Sequence, residues 1–142
     1  IDNIPTDEQI EKLKVTARMI FQPIRNHFNV PIGVTSMFRS KSLNMAIGGS
    51  LTSQHCKCEA IDIDADKYEG EVKDEDGNKV PLTNKMIFDY IKDNLEYDQL
   101  IWEFGNNNEP AWIHVSYKEN NNRKRRLKAF KNSNGKTQYS IM

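Results

Sequence analysis

The chain has 142 residues, with 20 lysines and arginines against 20 aspartates and glutamates, so its formal net charge is zero and its isoelectric point about 7. A hydrophobic share of 37%, a charged share of 28% and a mean hydropathy of -0.73 fit one small polar-surfaced domain and exclude a disordered polyelectrolyte. No apolar run approaches the roughly 20 residues of a membrane helix, and the opening Ile1-Asp2-Asn3 has no signal-peptide pattern.

Thr6 with Gln9 three residues on has the form of a capping box, followed by acids in the first turn. Ile10, Leu13, Ala17, Ile20, Phe21, Ile24 and Phe28 then recur at three-and-four spacing, which predicts an amphipathic helix over 7–28, kinked near Pro23. Residues 32–37 read as a strand, and Ser40 or Ser42 starts a short helix that Gly48-Gly49 stops. Residues 58–64 alternate acidic with small or apolar side chains in strand fashion. The polar stretch 67–80 carries Asp76-Gly77, a good hairpin turn, and reads as a surface excursion. Thr83 caps a second helix with Met86, Ile87, Tyr90, Ile91 and Leu95 on its apolar face. Strands follow at 99–104 and 112–117, joined by an asparagine-rich loop, and a weaker strand pair surrounds Ser133-Asn134-Gly135. Helices segregated from hairpin-linked strands predict an α+β fold with a mainly antiparallel sheet.

Neutrality hides an asymmetry. Acids dominate between Glu59 and Asp98, whereas residues 123–136 carry seven basic side chains and no acid. Such a stretch can grip nucleic acid or an anionic polymer, but aromatic interleaving is thin, so nucleic acid is not the leading partner. Cys56 and Cys58 are one residue apart, a spacing that strains a disulfide in extended chain, so free thiols are expected.

The chemistry concentrates in Ser53-Gln54-His55-Cys56-Lys57-Cys58-Glu59-Ala60-Ile61-Asp62. A carboxylate facing inward from a strand is costly unless it is paired or metal-bound, so Asp62 needs a partner. His114, in the strand Trp112-Ile113-His114-Val115-Ser116, supplies a candidate. His55, Asp62 and His114 together would make a three-ligand set with one open position, the form of a catalytic zinc site. Spacing alone leaves open the plainer reading of a satisfied core histidine and a strand-edge acid.

The same segment resembles the Ser-x-His-x-x-Gly-x-Ala-x-Asp signature of the zinc D-alanyl-D-alanine carboxypeptidase family, which includes phage endolysins and vancomycin-resistance dipeptidases. That family shares its fold with the Hedgehog signalling domain. Ser36-Met37-Phe38-Arg39-Ser40 is similar to its Ser-x-Tyr/Phe-Arg-Ser element, and 112–116 to its second histidine strand. Leu43-Asn44, Gly48-Gly49-Ser50 and Asp98-Gln99-Leu100-Ile101-Trp102-Glu103 also look like one subgroup, so the likeness runs from about residue 6 to 117.

The resemblance implies a Hedgehog-like arrangement with helices on one face of the sheet, in a single domain over 1–142 with a basic extension from about 118. It implies Zn²⁺ held by His55, Asp62 and His114, Arg39 gripping a substrate carboxylate by a bidentate pair, and Ser53 and Gln54 supporting the histidine loop or touching substrate. It also implies hydrolysis of peptidoglycan stem peptides near D-alanine; a monomer is expected, and the absence of a leader pattern favours synthesis in the cytoplasm and action on the wall after release. The alternative is a non-catalytic wall-binding or phage structural module on the same scaffold. A nucleic-acid binder using 123–136 is a third, weaker reading.

The sequence departs from the family at two points. Some members place a glutamate three residues before the second histidine, where this chain has Ala111. The remaining acids are Glu103, expected opposite His114 across an antiparallel pair, and the less favoured Glu109 in the loop. The signature glycine falls at Cys58, where a side chain would be strained if the backbone is left-handed. A cysteine so close to His55 could also join the metal, although an inert buried thiol is the plainer expectation.

Overall fold

A computed structural model of the chain describes residues 2–142. The first helical segment begins as its capping box dictates. Thr6 Oγ1 accepts from Gln9 N while Gln9 Oε1 accepts from Thr6 N. Helix α1 (Asp7–Thr16) runs through a π-helical turn, Ala17–Phe21, into α2 (Gln22–Phe28). The expected disturbance at Pro23 is therefore a widened turn just ahead of the proline, whose missing N–H leaves the ladder one donor short. The helix ends at Asn29 in the left-handed conformation.

Strand β1 (Gly33–Ser36) leads to the short helix α3 (Lys41–Ala46), capped by Ser40 Oγ accepting from Leu43 N. Strand β2 (Ala60–Asp64) follows, then the separate hairpin β3 (Glu71–Lys73) and β4 (Lys79–Pro81). Helix α4 (Asn84–Asn94), capped by Thr83, precedes β5 (Gln99–Glu103), β6 (Trp112–Ser116), β7 (Arg125–Lys131) and β8 (Thr137–Ile141). The main sheet has six strands in the order β1-β2-β6-β5-β7-β8, all antiparallel except the β5–β7 pair. The fold is α+β, as the patterning predicts.

Strand alternation assigns the two faces different work. Ile61, Ile63, Leu100, Trp102, Ile113 and Val115 point to one side and pack with Ile20, Ile24, Ile87, Phe88 and Ile91 of the helices in one continuous core. Each of these side chains is at least 95% buried, which contributes about 1.5–3 kcal/mol apiece. The opposite face carries Asp62, His114, Ile101 and Glu103. His27 belongs to neither face: it stacks on Tyr90 at 4.2 Å, within an aromatic cluster between α2 and α4.

The basic stretch read from sequence as an extension forms the outer strands β7 and β8. Leu127 and Ala129 are buried beside Ile101 in a second, small apolar cluster. Phe104 packs against it.

Candidate metal centre

Antiparallel register sets Asp62 of β2 directly opposite His114 of β6. Asp62 Oδ1 lies 3.0 Å from His114 Nδ1 and 3.2 Å from His55 Nε2. His55 arrives on the loop before β2, where Ser53 Oγ accepts from its backbone N–H at 3.3 Å. The side chains of His55, Asp62 and His114 are only 5%, 14% and 13% exposed. Burial alone would raise the Asp62 carboxyl. Hydrogen bonds and charge from His114 and His55 outweigh burial and hold it well below the ordinary carboxylate range.

The His55 ring is oriented from behind, with Nδ1 2.8 Å from the Met37 carbonyl. A carbonyl only accepts, so Nδ1 keeps its proton and Nε2 is the nitrogen that faces Asp62, donating to it when protonated and offering a lone pair to a metal when not. One atom from each of the three residues lies within 4.8 Å of the others. Donors about 2.0–2.2 Å from one ion in tetrahedral directions stand roughly 3.4 Å apart, so the cluster has the size of a metal site. Two imidazole nitrogens and a carboxylate oxygen match zinc in type, and their converging lone pairs repel unless a cation or protons lie among them.

The cluster forms part of a cavity of about 490 Å³ that Arg39, Gln54, Glu103, Trp112, Arg125 and Tyr139 also line. Arg39 is held by Asn44 Oδ1 at 3.1 Å and Ser36 Oγ at 3.4 Å, and forms no ion pair among the described residues. Asn44 is itself buried, and a Cβ on Gly49 would fall 1.9 Å from its Oδ1, so the glycine is what lets the loop close over it. Glu103 is 9% exposed. Burial, and then the negative charge of Asp62, push its carboxyl up to about 7.

One expectation needs amendment, and two less favoured alternatives fall away. Glu103 pairs with Trp112, and it is Ile101 that stands opposite His114. Glu103 therefore shares the face of His114 but sits diagonal to it, because the hairpin loop is shorter than a direct pairing would need. Glu109 does not come to this cavity: its Oε1 accepts from Asn84 N at 2.6 Å and Lys85 N at 3.2 Å at the start of α4. Neither cysteine joins the cluster. Cys56 Sγ lies near the Ser40 carbonyl, and Cys58 is buried against α1, with both thiols free. Cys58 does occupy the left-handed region at φ 62°, so it carries the strain its glycine-like position implies.

Read from sequence, Asp98 has no role beyond its place in the 98–103 likeness. This carboxylate is fully buried, accepts from Arg123 Nε at 3.0 Å and Nη2 at 2.8 Å, and receives Gln54 Nε2 at 2.9 Å. Its position just ahead of the apolar run 100–102 was the available signal. Its partner, 25 residues downstream in the basic stretch, was not visible from spacing.

A family model, Peptidase M15, matches residues 2–79, more than half of the chain. The chain belongs to the peptidase M15 family. The matched part carries Arg39, His55 and Asp62, while Glu103 and His114 lie beyond it and are joined to it through the β2–β6 and β6–β5 pairings. The family is one of zinc-dependent metallopeptidases, and the His-Asp-His cluster is a set able to hold such a metal. Among curated proteins none matches the chain.

Proposed function

We propose that this M15 member is a zinc-dependent peptidase that hydrolyses peptidoglycan stem peptides near D-alanine. The observation that carries the reading is the convergence of His55 Nε2, Asp62 Oδ1 and His114 Nδ1 at a cavity that Glu103 also lines. The substrate class comes from the resemblance of the 36–40, 53–62 and 112–116 segments to the D-alanyl-D-alanine carboxypeptidases.

His55, Asp62 and His114 would hold the ion. Zinc bound there supplies a Lewis acid that polarises a carbonyl and brings the pKa of a water towards neutrality. Glu103 is the base: it is held on a strand, and as an anion it can accept the proton of the attacking water, then return it to the leaving amine. Arg39, steadied by Asn44 and Ser36, offers a guanidinium fork to a substrate carboxylate. Ser53 supports the loop that presents His55.

The test is zinc content and muropeptide cleavage, followed by mass spectrometry of the new ends, for wild type, Glu103→Gln and His114→Ala. Wild type should hold one zinc and release products at D-alanine. Glu103→Gln should keep its zinc and lose about 10²–10⁴-fold in rate, and His114→Ala should lose both. A wild-type protein without zinc would overturn the reading. A zinc-loaded protein that binds wall but cleaves nothing would make it a binding module instead.

A further inference from the structure

We infer that Gln54 and Asp98 are positioning residues that dictate which ring nitrogen His114 presents to a metal. This rests on the metallopeptidase reading above and goes beyond it, since neither residue belongs to the ligand set.

The Asp98 carboxylate is 0% exposed and flanked by the Arg123 guanidinium, with Lys118 Nζ at 3.9 Å from Oδ2. Paired in this way it is an anion, able only to accept. The Gln54 atom that meets Asp98 Oδ2 at 2.9 Å must therefore be its NH₂ group. That choice turns the other end of the amide, Oε1, towards His114 Nε2 at 3.4 Å. An amide oxygen again only accepts, so Nε2 must carry the imidazole proton. In the neutral ring, the form that binds a metal, the lone pair is then left on Nδ1, the nitrogen that faces Asp62 Oδ1 at 3.0 Å.

The two histidines are thus set by different devices. His55 is fixed by a backbone carbonyl, which needs no further support. His114 is fixed by a side-chain amide that could sit either way round, and the buried carboxylate removes that freedom. Arg123 gives the arrangement its anchor. Its backbone N–H and its guanidinium both bond Asp98, so the segment just before β7 is tied to the site through Asp98 and Gln54.

The experiment measures zinc affinity by chelator competition for the full chain as wild type, Gln54→Leu and Asp98→Asn. Thermal melting of the metal-free proteins checks folding, and ¹H–¹⁵N spectra of the zinc-loaded proteins report the His114 ring. Wild type should show a slowly exchanging proton on His114 Nε2. Gln54→Leu should melt as wild type does, lose that protection and bind zinc about 10–100-fold more weakly. Asp98→Asn, whose amide no longer selects one orientation of Gln54, should move both readouts in the same direction. Wild-type affinity and an unchanged Nε2 proton in Gln54→Leu would overturn the inference and leave the metallopeptidase reading standing. A proton on Nδ1 in the wild type would do the same. Failure of wild type to take up zinc would remove both.

Discussion

Glu103 shows how one side chain's surroundings set its use. A glutamate in water has a pKa near 4.3, whereas burial and the Asp62 charge bring this one to about 7. The folded metal-free protein therefore holds the Glu103 proton more tightly than the unfolded chain, and stability falls as pH rises from about 4 through 7. Replacing the group with a neutral isostere removes the loss. Metal-free Glu103→Gln should match wild type below about pH 4 and exceed it above pH 7, by about 4 kcal/mol at most. Urea denaturation at a series of pH values checks this. A cation on Asp62 offsets one of the two causes, so zinc should narrow the gap. Cys58 makes the complementary point at the backbone: a left-handed φ stands where the family signature has glycine, and Thr16 Oγ1 bonds its carbonyl at 2.7 Å, tying the strained residue to α1.

Among the elements, α4 and the β5–β6 loop illustrate why two nearby acids differ in role. Glu109 accepts from the first two N–H groups of α4, where an anion offsets the positive end of the helix dipole. Asn84 reinforces the junction, accepting from Ala65 N and donating to Asp64 Oδ1 and the Ala111 carbonyl. Glu109→Ala should lower stability by about 1 kcal/mol and leave peptide hydrolysis at the wild-type rate, as measured by thermal melting and a muropeptide assay. Loss of activity with full stability would instead return Glu109 to the chemistry. The local signals for the elements themselves were legible. The Thr6 box, the Ser40 and Thr83 caps and the Asp76-Gly77 turn each act within four residues, so each could be read from the chain and each recurs in the structure.

For the whole molecule, the strongest consequence concerns the C-terminal segment. Strand β7 pairs in parallel with β5, and its Leu127 and Ala129 cover Ile101, while Arg123 neutralises Asp98. Deleting residues 123–142 would strip β5 of a neighbour, expose part of the apolar face and take the guanidinium from a buried carboxylate, a change of about 3–5 kcal/mol from the ion pair alone. The shortened chain should lose its cooperative melt and its zinc, whereas a dispensable tail would leave both intact. From the sequence by itself came the α+β class, the element order, the family and the candidate ligands His55, Asp62 and His114, because periodicity, caps and a ten-residue signature are local properties of the chain. Only the tertiary structure decided that Glu103 lies diagonal to His114, that Glu109 caps a helix, and that the basic stretch reaches the site through Asp98 and Gln54. These depend on strand register and on hydrogen bonds between residues 25 to 60 positions apart, and nothing in local spacing encodes them.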